Sequence, residues 1–96
     1  MICHILLYKF KPGIDRIDEH LSVISKFMNN TEGLIDLKCG RNIGFDPSKE
    51  FTHGFIMSFE NQETLYKYNH SDAHSNLVNL FKGDIENKKV IDIQSA

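Results

Sequence analysis

No stretch of this 96-residue chain is apolar for long enough to cross a bilayer. Its longest run, Ile5-Leu6-Leu7-Tyr8, falls far short of the ~20 residues that a spanning helix needs. Cysteine is scarce as well. Cys3 and Cys39 lack the close pairing of a zinc or redox motif, so they read as free buried thiols. Neither charge sign is in marked excess. With 11 basic and 13 acidic side chains, net −2, there is no footprint for nucleic acid or for an anionic membrane. Repeats, low-complexity tracts and Gly-rich phosphate loops are also missing. No carboxylate stands at helix spacing from a histidine of the expected helices, which speaks against a metal, and no cofactor is expected. The opening residues have no basic region, apolar run and small-residue site of a signal peptide, so a cytoplasmic protein is expected.

What the chain does have is periodic apolar pattern. With 41% hydrophobic and 25% charged residues it reads as a single folded domain over residues 1–96. From Ile2 to Phe10, His4, Leu6, Tyr8 and Phe10 alternate with Cys3, Ile5, Leu7 and Lys9, a strand apolar on both faces. After Pro12-Gly13, Asp15 is the expected N-cap of a helix whose stripe is Ile17, Leu21, Ile24, Phe27 and Met28. A second strand over Leu34 to Cys39 sets Ile35, Leu37 and Cys39 against Asp36 and Lys38, and a polar loop runs from Gly40 to Ser48. Phe51 to Phe59 alternates again, with His53, Phe55, Met57 and Phe59 on one face. Asn61 or Glu60 opens a short helix through Leu65, Tyr66 and Tyr68. The chain breaks at Asn69-His70-Ser71, where Ser71 can cap a second piece carrying His74, Leu77, Val78 and Phe81 at i, i+3, i+4, i+7. Val90 to Ile93 closes the chain as a fourth strand.

The order β-α-β-β-α-β predicts an α+β, ferredoxin-like fold: one antiparallel four-stranded sheet with helices on one face. Ile5 and Leu7 then point to a face that no helix covers. The expectation is a homodimer through that open sheet face, closing into a dimeric α+β barrel.

His4, His53 and His74 stand where apolar residues should be, and a desolvated imidazole costs free energy unless it is hydrogen-bonded. Three such residues on different segments predict a shared polar site inside an apolar space, with Leu6 and Phe55 among its walls. His74 is the prime candidate, because a helix offering Leu77, Val78 and Phe81 to the core has little structural reason to carry an imidazole. His20 and His70 are expected in solvent.

Taken together the chain resembles the stress-responsive α/β-barrel domain (Dabb) proteins, nearly end to end. The likeness rests on Met1-Ile2-Cys3-His4 with the strand ending Lys9-Phe10-Lys11, on Gly33-Leu34-Ile35, on Gly40-Arg41-Asn42, on Thr52-His53-Gly54-Phe55 running to Phe59-Glu60, on Tyr68 with Ala73-His74, and on Val90-Ile91-Asp92. The resemblance implies dimers whose sheets pack into a barrel. By likeness to the family's plant polyketide cyclase, olivetolic acid cyclase, it implies a pocket between sheet and helices. There His74 would be the catalytic base and Tyr68 its hydrogen-bonding partner, with His4 and His53 binding a small apolar carbonyl compound. Two positions depart from that pattern: Ile24 stands at the cyclase's second pocket tyrosine, and Ser71-Asp72 replaces the frequent His-Pro. A non-catalytic stress-responsive ligand-binding dimer and a dimeric-barrel monooxygenase are the other readings.

Overall fold

Strand β1 (Ile2–Phe10) lies inside the sheet, paired antiparallel with β3 (His53–Phe59) on one side and β4 (Ile85–Gln94) on the other. β2 (Leu34–Arg41) pairs with the outer side of β3, so the strand order is β2-β3-β1-β4. Helices α1 (Ile17–Lys26), α2 (Gln62–Asn69) and α3 (Asp72–Phe81) complete the ferredoxin-like arrangement, with α2 and α3 forming its second helical segment. The computed structural model describes residues 1–14, 16–26, 30–45 and 50–95. The expected cap at Asp15, the stripe positions Phe27 and Met28, the 46–48 part of the expected loop and the His20 side chain lie outside that description.

Alternation in β1 and β3 does what the pattern requires. Ile2, His4, Tyr8 and Phe10 are buried on the helix side with Phe55, Met57 and Phe59. Two apolar groups form there. Tyr8, Phe10, Ile24, Phe55, Leu77 and Phe81 pack under α1 and α3, while Ile2, Met57, Phe59, Leu65 and Tyr68 pack under α2; Leu6 and Leu37 border both.

The helix breaks have local causes. Asn61 accepts the Thr64 N–H at 2.9 Å and Thr64 Oγ1 accepts the Asn61 N–H at 3.4 Å, a reciprocal capping box for α2. Ser71 Oγ accepts the His74 N–H at 3.1 Å and caps α3, as its position in the sequence suggested. Gly33 sits at φ +78°, and a Cβ there would fall 2.3 Å from Thr64 Cγ2, so this turn takes only glycine without displacing α2.

Three strand starts or ends and one register differ from expectation, among them β3, which begins at His53 rather than Phe51. β2 continues through Gly40 and Arg41, so the loop begins at Asn42. A bulge between Leu34 and Asp36 takes Ile35 out of the alternation and leaves it 48% exposed, while Leu37 and Cys39 keep the inner face. β4 starts at Ile85 rather than Val90. Its first half, Ile85-Glu86-Asn87-Lys88-Lys89, pairs with β1 through backbone bonds that need no apolar side chain, and charged residues suit an edge strand.

The other face of the sheet carries Cys3, Ile5 and Leu7 from β1, Ile56 from β3, and Ile91 and Ile93 from β4, with no helix over them. Among the described residues no helix is long and apolar enough to cross a membrane.

Candidate functional site

Between α3 and the β1–β4 pair lies a cavity of about 570 Å³. The strand register builds one wall: His4 stands opposite Asp92, Leu6 opposite Val90 and Tyr8 opposite Lys88, all six lining the space. The helix builds the other. His74, Leu77, Val78 and Phe81 recur at helical spacing and all four line the cavity, with Tyr68 and Asn69 contributed by the end of α2.

His4 is 4% exposed, and its Nδ1–H donates to Asp92 Oδ1. Because an ionised carboxylate only accepts, this bond puts an imidazole proton on Nδ1 and turns Nε2 away from Asp92. The His4 ring lies edge-on to Tyr68 at 6.1 Å and to Phe59 at 6.4 Å, which locks its orientation. Tyr68 in turn meets the His74 ring edge-on at 5.1 Å. His74, Tyr68, His4 and Asp92 thus form a continuous chain of ionisable groups along one side of the cavity.

Burial, then the nearby His4, Lys88 and His70, hold the His74 imidazolium below the usual histidine range, so the ring is neutral at pH 7 and able to accept a proton. Burial, reinforced by Tyr8, pushes the Tyr68 phenol well above its ordinary value and keeps it a donor. Burial also raises Tyr8 to about 12. A neutral base beside a firmly protonated phenol is an arrangement for moving a proton and steadying the oxyanion that results.

Of the residues singled out in the sequence, His4, Leu6, Tyr68 and His74 come together here, and His53 and Phe55 do not. His53 is on β3, which flanks β1 on the side away from β4. Its Nδ1 shares a hydrogen bond with Thr52 Oγ1 at 2.9 Å, and its ring packs edge-on to Phe10 at 5.1 Å, bordering separate clefts beside the loop that starts at Asn42. Phe55, 1% exposed, is core against Tyr8 at 5.0 Å and does not line the cavity. His70 is exposed and stacks on Tyr66 at 4.1 Å. Ile24 is buried in the core.

Asp92 is the functional residue that reasoning from sequence passed over, although Val90-Ile91-Asp92 was among the matching motifs. What assigns it is the pairing register, which sets it directly opposite His4. No cluster of three or more His, Cys, Asp and Glu able to hold a metal occurs among the described residues.

A family model for the stress responsive A/B barrel domain matches residues 2–95. Among solved structures, the Arabidopsis thaliana protein At3g17210 is similar with a TM-score of 0.90 and 25% identity, over 100% of this chain and 96% of that one. A hydroxynitrile lyase from Passiflora edulis is similar with a TM-score of 0.87 and 19% identity, over 99% and 94% of the two chains. A dimeric ferredoxin-like protein of unknown function from Jannaschia sp. has a TM-score of 0.85 and 20% identity, over 98% of each chain. No curated protein matches.

Proposed function

The chain belongs to the stress-responsive A/B barrel domain family, and from that premise we propose a cytoplasmic homodimer of single-domain protomers, each with a pocket for acid/base chemistry on a small apolar carbonyl compound. The observation that carries the reading is the convergence of His4, Tyr68, His74 and Asp92 in one cavity whose walls also include the apolar Leu6, Leu77, Val78, Phe81 and Val90.

In this reading neutral His74 removes a proton from the carbon next to a carbonyl. The Tyr68 hydroxyl donates to the oxygen on which the negative charge collects. His4, held by Asp92 through Nδ1, presents Nε2 to a polar group of the substrate and so orients it. Where the same molecule carries a second carbonyl within reach, the enolate carbon attacks it, and the proton held on His74 passes to the new alkoxide. That sequence is an aldol closure of polyketide-cyclase type and is neutral overall. Ile24 contributes no hydroxyl, so Tyr68 carries the oxyanion alone among the tyrosines named by the family likeness.

The dimer reading is supported by the uncovered apolar face of Ile5, Leu7, Ile56, Ile91 and Ile93, by Ile43, 96% exposed beside it, and by solved relatives that are themselves dimeric. The two unpaired thiols suit a reducing cytoplasm.

The test is deuterium uptake at the central carbon of a medium-chain β-diketone, followed by NMR. A positioned general base contributes on the order of 10²–10⁴-fold, so His74→Ala is expected to slow enzyme-dependent uptake by at least about 100-fold while the fold persists. Full uptake by a folded His74→Ala protein removes His74 from the chemistry.

A further inference from the structure

We propose that this cavity is two-ended: it takes an amphipathic anion, with the reacting carbonyl at His4, Tyr68 and His74 and the anionic group at Lys82 and Lys88. The inference rests on the acid/base reading above and extends it to the class of molecule bound.

Two elements independently set the same spacing between the ends. On β4 the cavity is lined by Asp92, Val90 and Lys88, with Asn87, Glu86 and Ile85 beyond Lys88 at the turn end, and Lys88 is about 13–14 Å along the strand from Asp92 at about 3.4 Å per residue. On α3, His74 lies in the first turn and Lys82 caps the C-terminal end, about 12 Å away at about 1.5 Å per residue. Helix and strand are joined by the turn at Lys82–Asp84, so they run in opposite directions. Both therefore place their lysine at the turn end and their acid/base residue at the far end. Between the ends the lining is Leu6, Leu77, Val78, Phe81 and Val90, with no charged group.

The charges at the two ends are not equivalent. Asp92 is engaged by His4 and would repel an anion placed beside it. Glu86, the other carboxylate lining the cavity, has Lys9 at 4.0 Å. Lys82 and Lys88 make no ion pair or side-chain hydrogen bond among the described residues, which leaves both ammonium groups able to meet a ligand. Ammonium groups are compact point charges without the planar fork of arginine, so this end selects for negative charge more than for the shape of the anion. An apolar stretch of this length with one cationic mouth fits a medium-chain molecule ending in a carboxylate.

The probes are octanoate and octanol, titrated calorimetrically into the wild-type protein and into Lys82→Gln/Lys88→Gln. Both lysines are exposed, so the double variant is expected to fold. Wild type should bind octanoate at least tenfold more tightly than octanol, with an affinity that falls as salt is raised. The double variant should lose that preference by weakening octanoate alone, and Lys82→Arg/Lys88→Arg should restore it. Equal affinity for the two probes, or octanoate binding untouched by the double variant, overturns the proposal. Octanoate selectivity that survives alongside undiminished proton exchange in His74→Ala would instead remove the acid/base chemistry and leave this charge recognition standing.

Discussion

Cutting Asp92 back to alanine strands a buried imidazole. The His4 side chain is 5% exposed and that of Asp92 44% exposed, so the two partners lose different amounts when the bond is broken. An unpaired buried donor costs about 1–3 kcal/mol, and the charge on the carboxylate favours the upper half of that range. The half-exposed Asp92 already trades part of this against water, which brings the expectation for Asp92→Ala to about 2 kcal/mol. His4→Phe should cost less, because phenylalanine fills the slot between Phe59 and Tyr68 while the released carboxylate turns to solvent. In the double variant neither polar group remains. Its stability should therefore sit near that of His4→Phe, giving a coupling equal to the Asp92→Ala cost, about 2 kcal/mol.

The assay is urea unfolding at one fixed protomer concentration, since a dimer's apparent stability depends on concentration. The Asp92→Ala midpoint should fall with the slope unchanged, the mark of lost stability rather than an altered denatured state. Additivity of the two single variants within about 0.5 kcal/mol would refute the reasoning, because it would mean that His4 and Asp92 do not act as a pair.

Leu7→Lys places an ammonium in the middle of the uncovered sheet face and should weaken dimerisation by about 3 kcal/mol, or over 100-fold, in sedimentation equilibrium. A wild-type chain that is already monomeric, or a variant with unchanged mass, contradicts the barrel dimer. Stability should also fall on mild acidification. His53 and His74 are both held below their ordinary value of 6.5 in the folded state, so the unfolded chain binds protons first. Their contribution is complete above about pH 6.5 and is lost as the pH drops through the lower folded values. Urea midpoints should decline below about pH 6.5, less steeply in His74→Gln, and a midpoint that rises on acidification reverses the sign of the argument.

Much of the fold could be read from periodicity because backbone geometry imposes it. β1 and β3 are buried on the helix side and half-covered on the other, and their strict alternation follows from that. The break between α2 and α3 was visible because capping is local chemistry: Ser71 needs only the N–H three residues on. Ile35 illustrates the opposite case. Ile35 to Cys39 alternates on paper, yet a bulge falls where Gly33 meets the end of β3, beside the Glu60 N–H that donates to Gly33 O at 2.9 Å. His53 misled for a related reason. Alternation assigns a side chain to a face but not to a position across that face, and β3 and β4 are on opposite sides of β1.

β4 carries the deeper reason why half of the site was invisible. A strand is recognised by apolar alternation where both partners are packed, but neither apolar core group includes a buried β4 residue; Ile85 only borders one of them. The helices pack over β1, β2 and β3 and leave the inner side of β4 facing open space, so burial demands no apolar side chain at Lys88 or Asp92. Lys88 lies outside the strand expected over Val90 to Ile93, and Asp92 lies within it with no partner that pattern alone could assign. The absence of packing that hid the strand is what creates the cavity, since a Leu or Phe at these two positions would fill it. Polar residues on the inner face of an edge strand, opposite a buried histidine in register, therefore mark a site: the fold leaves the space, and the register brings Asp92 to His4.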